Sequence, residues 1–230
     1  MLPCYAWQKM GLSPCRQHGV NHPRDKNSAS LNRQTHNPLS SGLFTNLHPS
    51  SFVQWSPVII HGYGMNTYRY HYLGHKPLPG AQLRYFVTLD EQIIAALGFG
   101  AAAWQTAPRD QFIGWSYEQR EKNLSLVVNN ARFLIMPWVK SKNLASTILS
   151  MIARRLPTQW EERYGIRPVL LETFVDTEQF SGTCYKSANW IYVGKTKGRG
   201  KLGPAGKQSV PIKDLWLFPL SRQFRNHLTR

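Results

Sequence analysis

The sequence predicts an α/β fold, a single domain built on a mixed β-sheet with helices on its faces. Residues Asn129 to Lys195 read as strand, helix, strand, helix, strand, an alternation that places the strands in one sheet with the helices covering it. Inside that stretch Leu144, Ile148 and Ile152 recur at a spacing of four, one buried face of a helix. A hydrophobic fraction of 42 %, with 8 Trp, 10 Tyr and 10 Phe in 230 residues, suffices for the core of one domain plus an extension.

Residues 1–56 stand apart. They are rich in Ser, Asn, His, Pro and Gln, without a sustained period of 2 or 3.6, and bury too little to offset their ordering entropy. A poorly ordered segment is expected there, followed by the domain at 57–220 and a C-terminal tail at 221–230. Tyr70 to Gly80 is loop-like, punctuated by glycine and proline. His71 and His75 stand four apart within it, but Gly74 and Pro77 speak against a helix, and no third metal ligand is apparent. Ala81–Leu89 and Ile93–Trp104 read as two strands joined by a turn at Asp90-Glu91. The Ala/Gly content of Ala95–Ala103 asks for something packed closely over it. Phe112–Trp115 is expected to complete that part of the sheet, and Ser116–Asn123 to be a polar helical turn.

Leu124–Asn130 leads into the central strand at Ala131–Val139. There Phe133-Leu134-Ile135-Met136 is apolar on both faces, as in a covered strand, until Pro137 stops the ladder. The helix is expected over Asn143–Leu156, with Ser141 or Asn143 as N-cap. Its free amides, with Lys140, Lys142 and Asn143 beside them, form a candidate phosphate site. An ordinary capped helix with solvated lysines is the other reading. In the following strand, 167–176, alternation puts Leu170, Glu172, Phe174 and Asp176 on one side. Glu172 sits mid-strand among apolar residues, where desolvation raises a carboxyl pKa unless the group is paired. It is either a general base or half of a structural ion pair with Arg132 or Arg109. Asp176-Thr-Glu-Gln fits a capping box at the next helix start. At roughly 3.3 Å per residue, Glu172 and Asp176 lie about 13 Å apart along the strand, too far for a close carboxylate pair. The alternation ends in the segment 182–196; the tract from Lys195 then carries Lys197, Arg199 and Lys201 among Gly and Pro, and Lys213 to Leu220 is expected as the last strand.

The global signal is charge. With 28 Lys+Arg against 12 Asp+Glu the formal net charge is +16, which calls for an acidic partner, nucleic acid foremost. Lys195, Lys197, Arg199 and Lys201 are the expected phosphate contacts, without sequence specificity. Three cysteines, with no CxxC and no even framework, argue for a reducing compartment. No apolar run reaches the roughly 20 residues of a membrane span, and no signal peptide is evident, so a cytoplasmic protein is expected.

The order of elements resembles the GNAT acyltransferase fold, in which a central strand runs into a helix holding a coenzyme pyrophosphate. Phe133–Val139 and Asn143–Leu156 are similar to that strand and helix. Tyr185-Lys186-Ser187-Ala188-Asn189-Trp190 is similar to the Tyr-x-x-x-Gly-Phe signature. Two departures stand out: Lys140–Ala145 replaces the Gly-rich loop, and Asn189-Trp190 replaces Gly-Phe. This resemblance implies a GNAT-like mixed sheet and, as one reading, an acetyl-CoA-dependent acyltransferase with Glu172 as base, Tyr185 as acid and the helix start at Asn143 as cofactor site.

A longer set of motifs resembles the DruA family of the Druantia anti-phage defence system, whose relatives accompany bacterial transposases. These are Tyr-His-Tyr-Leu-Gly-His-Lys-Pro-Leu-Pro-Gly-Ala-Gln-Leu-Arg-Tyr (70–85), Ile-Gly-Trp (113–115), Val-Asn-Asn-Ala-Arg-Phe-Leu-Ile (128–135), Leu-Leu-Glu-Thr-Phe-Val-Asp (170–176) and Gly-Thr-Cys-Tyr-Lys-Ser-Ala-Asn-Trp (182–190). The resemblance spans residues 66–220; the residues before it are read as a truncated or frame-shifted start. It implies a bacterial, DNA-associated role in defence or mobile DNA, alongside a helicase or other defence-system proteins. A non-catalytic transposon accessory protein is a further reading. A polar cleft of Asn129, Asn130, Arg132, Glu172, Asp176, Tyr185 and Asn189 is expected to do the specific work.

Overall fold

The computed structural model describes residues 54–57 (backbone only), 70, 71, 78, 80–89, 92–198 and 210–230. Most of the N-terminal segment, His75, the Asp90-Glu91 turn, Arg199 and Lys201 lie outside the described residues. Strands β1 (Gln54–Pro57), β2 (Gln82–Leu89) and β3 (Gln92–Ala101) form an antiparallel meander. Residues 54–56, expected in the poorly ordered segment, thus belong to the sheet. Helices α1 (Ala107–Ile113) and α2 (Tyr117–Asn123) follow, then a short 3-10 turn and β4 (Val127–Ile135). The remainder is α3 (Leu144–Tyr164), β5 (Leu170–Asp176), α4 (Thr183–Ser187), β6 (Ile191–Lys195), β7 (Lys213–Pro219) and α5 (Phe224–Leu228). Among the described residues the sheet has seven strands in the order β1-β2-β3-β4-β5-β7-β6. Only β4 and β5 pair in parallel, so the sheet is mixed and flanked by helices, as expected.

Burial divides between the two faces by strand alternation. Leu171, Val175 and Trp216 join Ile148, Leu149, Ile152 and Leu156 of α3 in one apolar cluster. Leu170, Leu215 and Leu217 point the other way and meet Ile113, Trp115, Phe224 and Leu228. Ala95 and Ala96 of β3 lie in the first cluster, and a Cβ on Gly100 would come within 3.3 Å of Leu78 Cδ1. That close cover is what the small residues of β3 permit.

Four expectations are corrected. Phe112 and Ile113 do not extend the sheet. Pro108 sits in the first turn of α1 and Gly114 ends it at φ 80°, so the short apolar run is helical, with Arg109 and Ile113 on its buried side. Helix α3 does not stop at Leu156 but passes through Pro157 to Gly165 (φ 69°). A proline there forfeits one helical hydrogen bond, but the turns beyond it are held by tertiary contacts. Trp160 is buried, and the Tyr164 hydroxyl bonds both the amide and the carbonyl of Gln82 at 2.8 Å. No helix starts at Asp176. Its Oδ1 accepts from the Glu178 amide (3.2 Å) in a turn, and the next helix begins only after Gly182. Residues 221–230 do not form a loose tail, since Phe224 and Leu228 are buried in the second cluster.

Candidate functional site

The seam between β4 and β5 holds most of the expected polar residues. The parallel ladder pairs Val127 with Leu170, Val128 with Leu171 and Asn129 with Glu172, and goes no further. On its other edge β4 carries a bulge, because Gly98 faces Arg132 while Phe99 faces Asn130, leaving Ala131 as the extra residue. Asn130 stands beside this bulge. Its Nδ2 donates to the Arg132 carbonyl (3.1 Å), and its Oδ1 accepts from the Tyr185 hydroxyl (3.0 Å). Thr173 Oγ1 donates to the Asn130 carbonyl at 3.0 Å. Asn130, Thr173 and Tyr185 therefore form one buried hydrogen-bonded group on the α3 face, with the Tyr185 ring against Phe133 and Trp190.

Glu172 points to the opposite face. Its Oε2 accepts from Arg109 Nη1 at 2.8 Å, and its Oε1 from the Ala103 amide at 2.8 Å. Both side chains of this ion pair are fully buried. Burial pushes the Glu172 carboxyl up, against the opposing pull of Arg109 and the Ala103 amide. The sheet thus separates Glu172 from Tyr185, and the two do not meet as an acid–base pair. Asn129 lies beside Glu172 in register, with its Oδ1 buried and unbonded among the described residues. Arg132 donates to the Ala131 carbonyl (2.7 Å). His71, buried near Arg132, has its pKa lowered to about 4 by desolvation and then by that charge. Asp176 ends β5 within its turn.

Asn189 is exposed at φ 61°, the left-handed conformation that explains why asparagine can stand where the signature has glycine. Asn143 precedes α3 at φ 61°, and its side chain makes no cap bond. Lys140, Lys142 and Asn143 are all exposed at that helix start. Lys195 and Lys197 are exposed at the end of β6, an edge strand, with Lys195 Nζ 3.3 Å from Asp214. Burial raises the pKa of Cys184, a free thiol. Among the described residues no group of three or more His, Cys, Asp or Glu could hold a metal ion, and no helix is long and apolar enough to cross a membrane.

Sequence reasoning named Arg109 as one partner for Glu172 but missed the network behind it. Asp110 accepts from Arg109 Nε (3.0 Å), Trp115 Nε1 (3.1 Å) and Arg120 Nη1 (3.2 Å). Arg120 in turn lies under the rings of Trp104 and Tyr117, 5.6 and 5.1 Å from their centroids. These residues come from the segment after β3, from α1, from the turn that follows it and from α2, so no single local spacing announces them.

No curated protein matches the sequence. Solved structures that resemble the chain include a GNAT-family acetyltransferase from Streptococcus pneumoniae (10 % identity, TM-score 0.45, covering 74 % of this chain and 100 % of that one). The ribosomal-protein-S18-alanine N-acetyltransferase from Escherichia coli is similar at 10 % identity and TM-score 0.43 (74 % and 95 % covered). The polyamine N-acetyltransferase of Drosophila melanogaster shows 11 % identity and TM-score 0.44 (73 % and 100 % covered). Likeness at this level says nothing of chemistry. The sequence itself matches the family described as Druantia protein DruA over residues 63–228, from before β2 to the end of α5. That match covers most of the chain and every element of the seam, and the chain belongs to the Druantia DruA family.

Proposed function

We propose that this chain is a nucleic-acid-associated protein of a Druantia-type anti-phage defence system. The observation that carries the reading is the formal net charge of +16 in a DruA-family chain. Exposed cations at two places in the chain are consistent with it: Lys195 and Lys197 at the end of β6, and Lys140 and Lys142 before α3. The tract carrying Arg199 and Lys201 continues directly from Lys197 in sequence. Lys195 itself stays exposed although its Nζ lies 3.3 Å from the largely covered Asp214 carboxylate. On this reading the lysines hold the backbone of a nucleic acid, and helicase or other defence-system proteins act on the complex. An acyltransferase built on Glu172 and Tyr185 is not favoured by their placement on opposite faces.

The test is binding of the purified chain to single- and double-stranded DNA across a salt series. Affinity should fall steeply with salt, with a log–log slope near −0.9 per phosphate contacted on duplex. Replacing Lys195 and Lys197 with alanine should weaken binding to all sequences alike and flatten that slope by about 1 to 2. A chain that binds neither form at low salt is not a nucleic-acid protein.

A further inference from the structure

Strand directions bring the two basic segments to one end of the sheet. β5 runs parallel to β4, and β7 runs antiparallel to both β5 and β6, so β4, β5 and β6 point the same way. Their carboxyl ends carry, in turn, the loop 136–143, the turn 177–182 and the segment 195–197. The face is shared as well as the end. Lys195 pairs with Asp214, and Asp214 with Val175, which packs with α3; the loop 136–143 leads directly into that helix. Exposed Lys140 and Lys142 therefore stand on one side of this end, and exposed Lys195 and Lys197 on the other. The path from β4 to β6 crosses β5 and β7, three steps of about 4.8 Å, so the two strand ends lie about 14 Å apart.

The same end carries two exposed rings, Trp138 on the β4 loop and Phe180 on the β5 turn, which lies between the lysine pairs. Trp138 is 44 % exposed in a turn closed by the Val139 amide on the Met136 carbonyl (2.9 Å), with Met136 and Val139 filling the core side. Among the described residues its ring contact is the edge-on Tyr70 (5.3 Å, 83°). Phe180 is 50 % exposed and fixed at the end of β5, where its amide donates to the Asp176 carbonyl (2.9 Å). On the far side the Thr196 amide donates to the Lys213 carbonyl (2.8 Å) and holds Lys195 and Lys197 in place. Across these three segments Asp176 is buried, and Glu178 is the one exposed carboxylate against four exposed lysines.

We infer, from the nucleic-acid reading on which this rests, that this end of the sheet is one track for an unpaired strand. Lys140, Lys142, Lys195 and Lys197 hold its phosphates, and Trp138 and Phe180 stack its bases. Charge complementarity selects a polyanion, since four lysines meet one exposed carboxylate in a chain of net charge +16. The rings select its form. Aromatic side chains along a basic path stack free bases, whereas a duplex keeps its bases on one another. A span of about 14 Å corresponds to about four nucleotides at a stacked rise of roughly 3.4 Å, so one short strand reaches both lysine pairs. A lipid surface needs a continuous apolar face, which two rings on separate loops do not make.

The experiment titrates the full chain with fluorescein-labelled oligothymidylates of about 6 and about 16 nucleotides, and with a duplex of the longer length, at several salt concentrations. One track predicts one short oligothymidylate per chain, with affinity lost on replacing either Lys140 and Lys142 or Lys195 and Lys197 by alanine. Two bound per chain, with each double variant losing one, overturns the track. Trp138→Ala and Phe180→Ala should each weaken binding of the longer strand about tenfold and leave duplex binding within about twofold. Trp138→Phe and Phe180→Tyr should keep wild-type affinity, and an unchanged thermal midpoint separates lost stacking from lost fold. Wild-type affinity in both alanine variants, or an equal loss on strand and duplex, also overturns the track, while salt-dependent binding keeps the nucleic-acid reading. No binding of any probe at low salt removes both. Should phosphatidylserine vesicles then bind, and Trp138→Ala abolish it, the occupant is a lipid surface.

Discussion

Glu172 sits mid-strand with its two oxygens accepting from Arg109 and from the Ala103 amide, both at 2.8 Å. A carboxylate removed from water in this way is tolerable only because it is paired, and removing one partner of a buried pair costs about 3 to 5 kcal/mol. Arg109→Leu should destabilise the chain by that amount in urea denaturation. The loss should also depend on pH. Without Arg109 the folded-state pKa of Glu172 rises well above its unfolded value, so the folded state binds the extra proton. Stability of the variant then falls as pH rises from the ordinary carboxylate range through the raised folded-state value. A second change, Glu172→Leu, should recover much of the loss and abolish that pH dependence. A cost below about 1 kcal/mol for Arg109→Leu would mean that water reaches the carboxylate and that the pair is not structural. The sequence showed a carboxylate in an apolar strand and offered Arg109 as one of two partners. It did not show Asp110, Arg120 and Trp104 behind that pair, because the contacts join three separate elements.

Short elements in this chain end and begin at residues that tolerate positive φ, and Asn189 is the informative case. It follows α4 at φ 61°, between Ala188 and Trp190, both of which are buried. Trp190 reaches its place against Tyr185 and Phe218 only because the backbone turns at that point. An ordinary L-residue pays about 1 to 2 kcal/mol to adopt this conformation, asparagine less and glycine almost nothing. Asn189→Gly should therefore leave the thermal midpoint unchanged or slightly raised, whereas Asn189→Val should lower stability by about 1 to 2 kcal/mol. Equal effects of the two substitutions would show that the Asn189 side chain, not its backbone, holds the turn. The sequence revealed that Asn189 takes the glycine position of a known signature, but not the conformation that reconciles the two. Its reading of α1 as strand failed for a related reason. Phe112-Ile113 is too short an apolar run to have a period, and only Pro108 and Gly114 on either side mark it as helix.

At the scale of the whole molecule, the alternation of strand and helix between Asn129 and Lys195 made the sheet and its flanking helices legible. The insertion of β7 between β5 and β6 was not, because it depends on a strand that arrives after the basic tract. The same blindness set the end of the domain at residue 220. In the fold, α5 closes the second face of the sheet. Phe224 stacks on Phe112 with centroids 6.1 Å apart, and Arg225 lies over Phe112 at 4.5 Å. Asn123 donates to the carbonyls of Leu228 (3.0 Å) and Arg230 (2.9 Å), and Gln119 to that of Thr229, so α2 is tied to this segment along its length. A buried Phe or Leu truncated to alanine typically costs about 2 to 5 kcal/mol. Loss of both approaches the whole stability of a domain, about 5 to 15 kcal/mol. Removal of residues 221–230 should therefore leave a chain without a cooperative thermal transition, and Leu228→Ala alone should lower stability by about 2 to 5 kcal/mol. Near-UV circular dichroism is the discriminating signal, because Trp115 belongs to the same cluster and its fixed environment depends on α5. A shortened chain with an unchanged near-UV spectrum and midpoint would show that the second face holds without α5. Glu172 and Arg109 would then need no cover from residues beyond 220, and the domain boundary read from the sequence would stand.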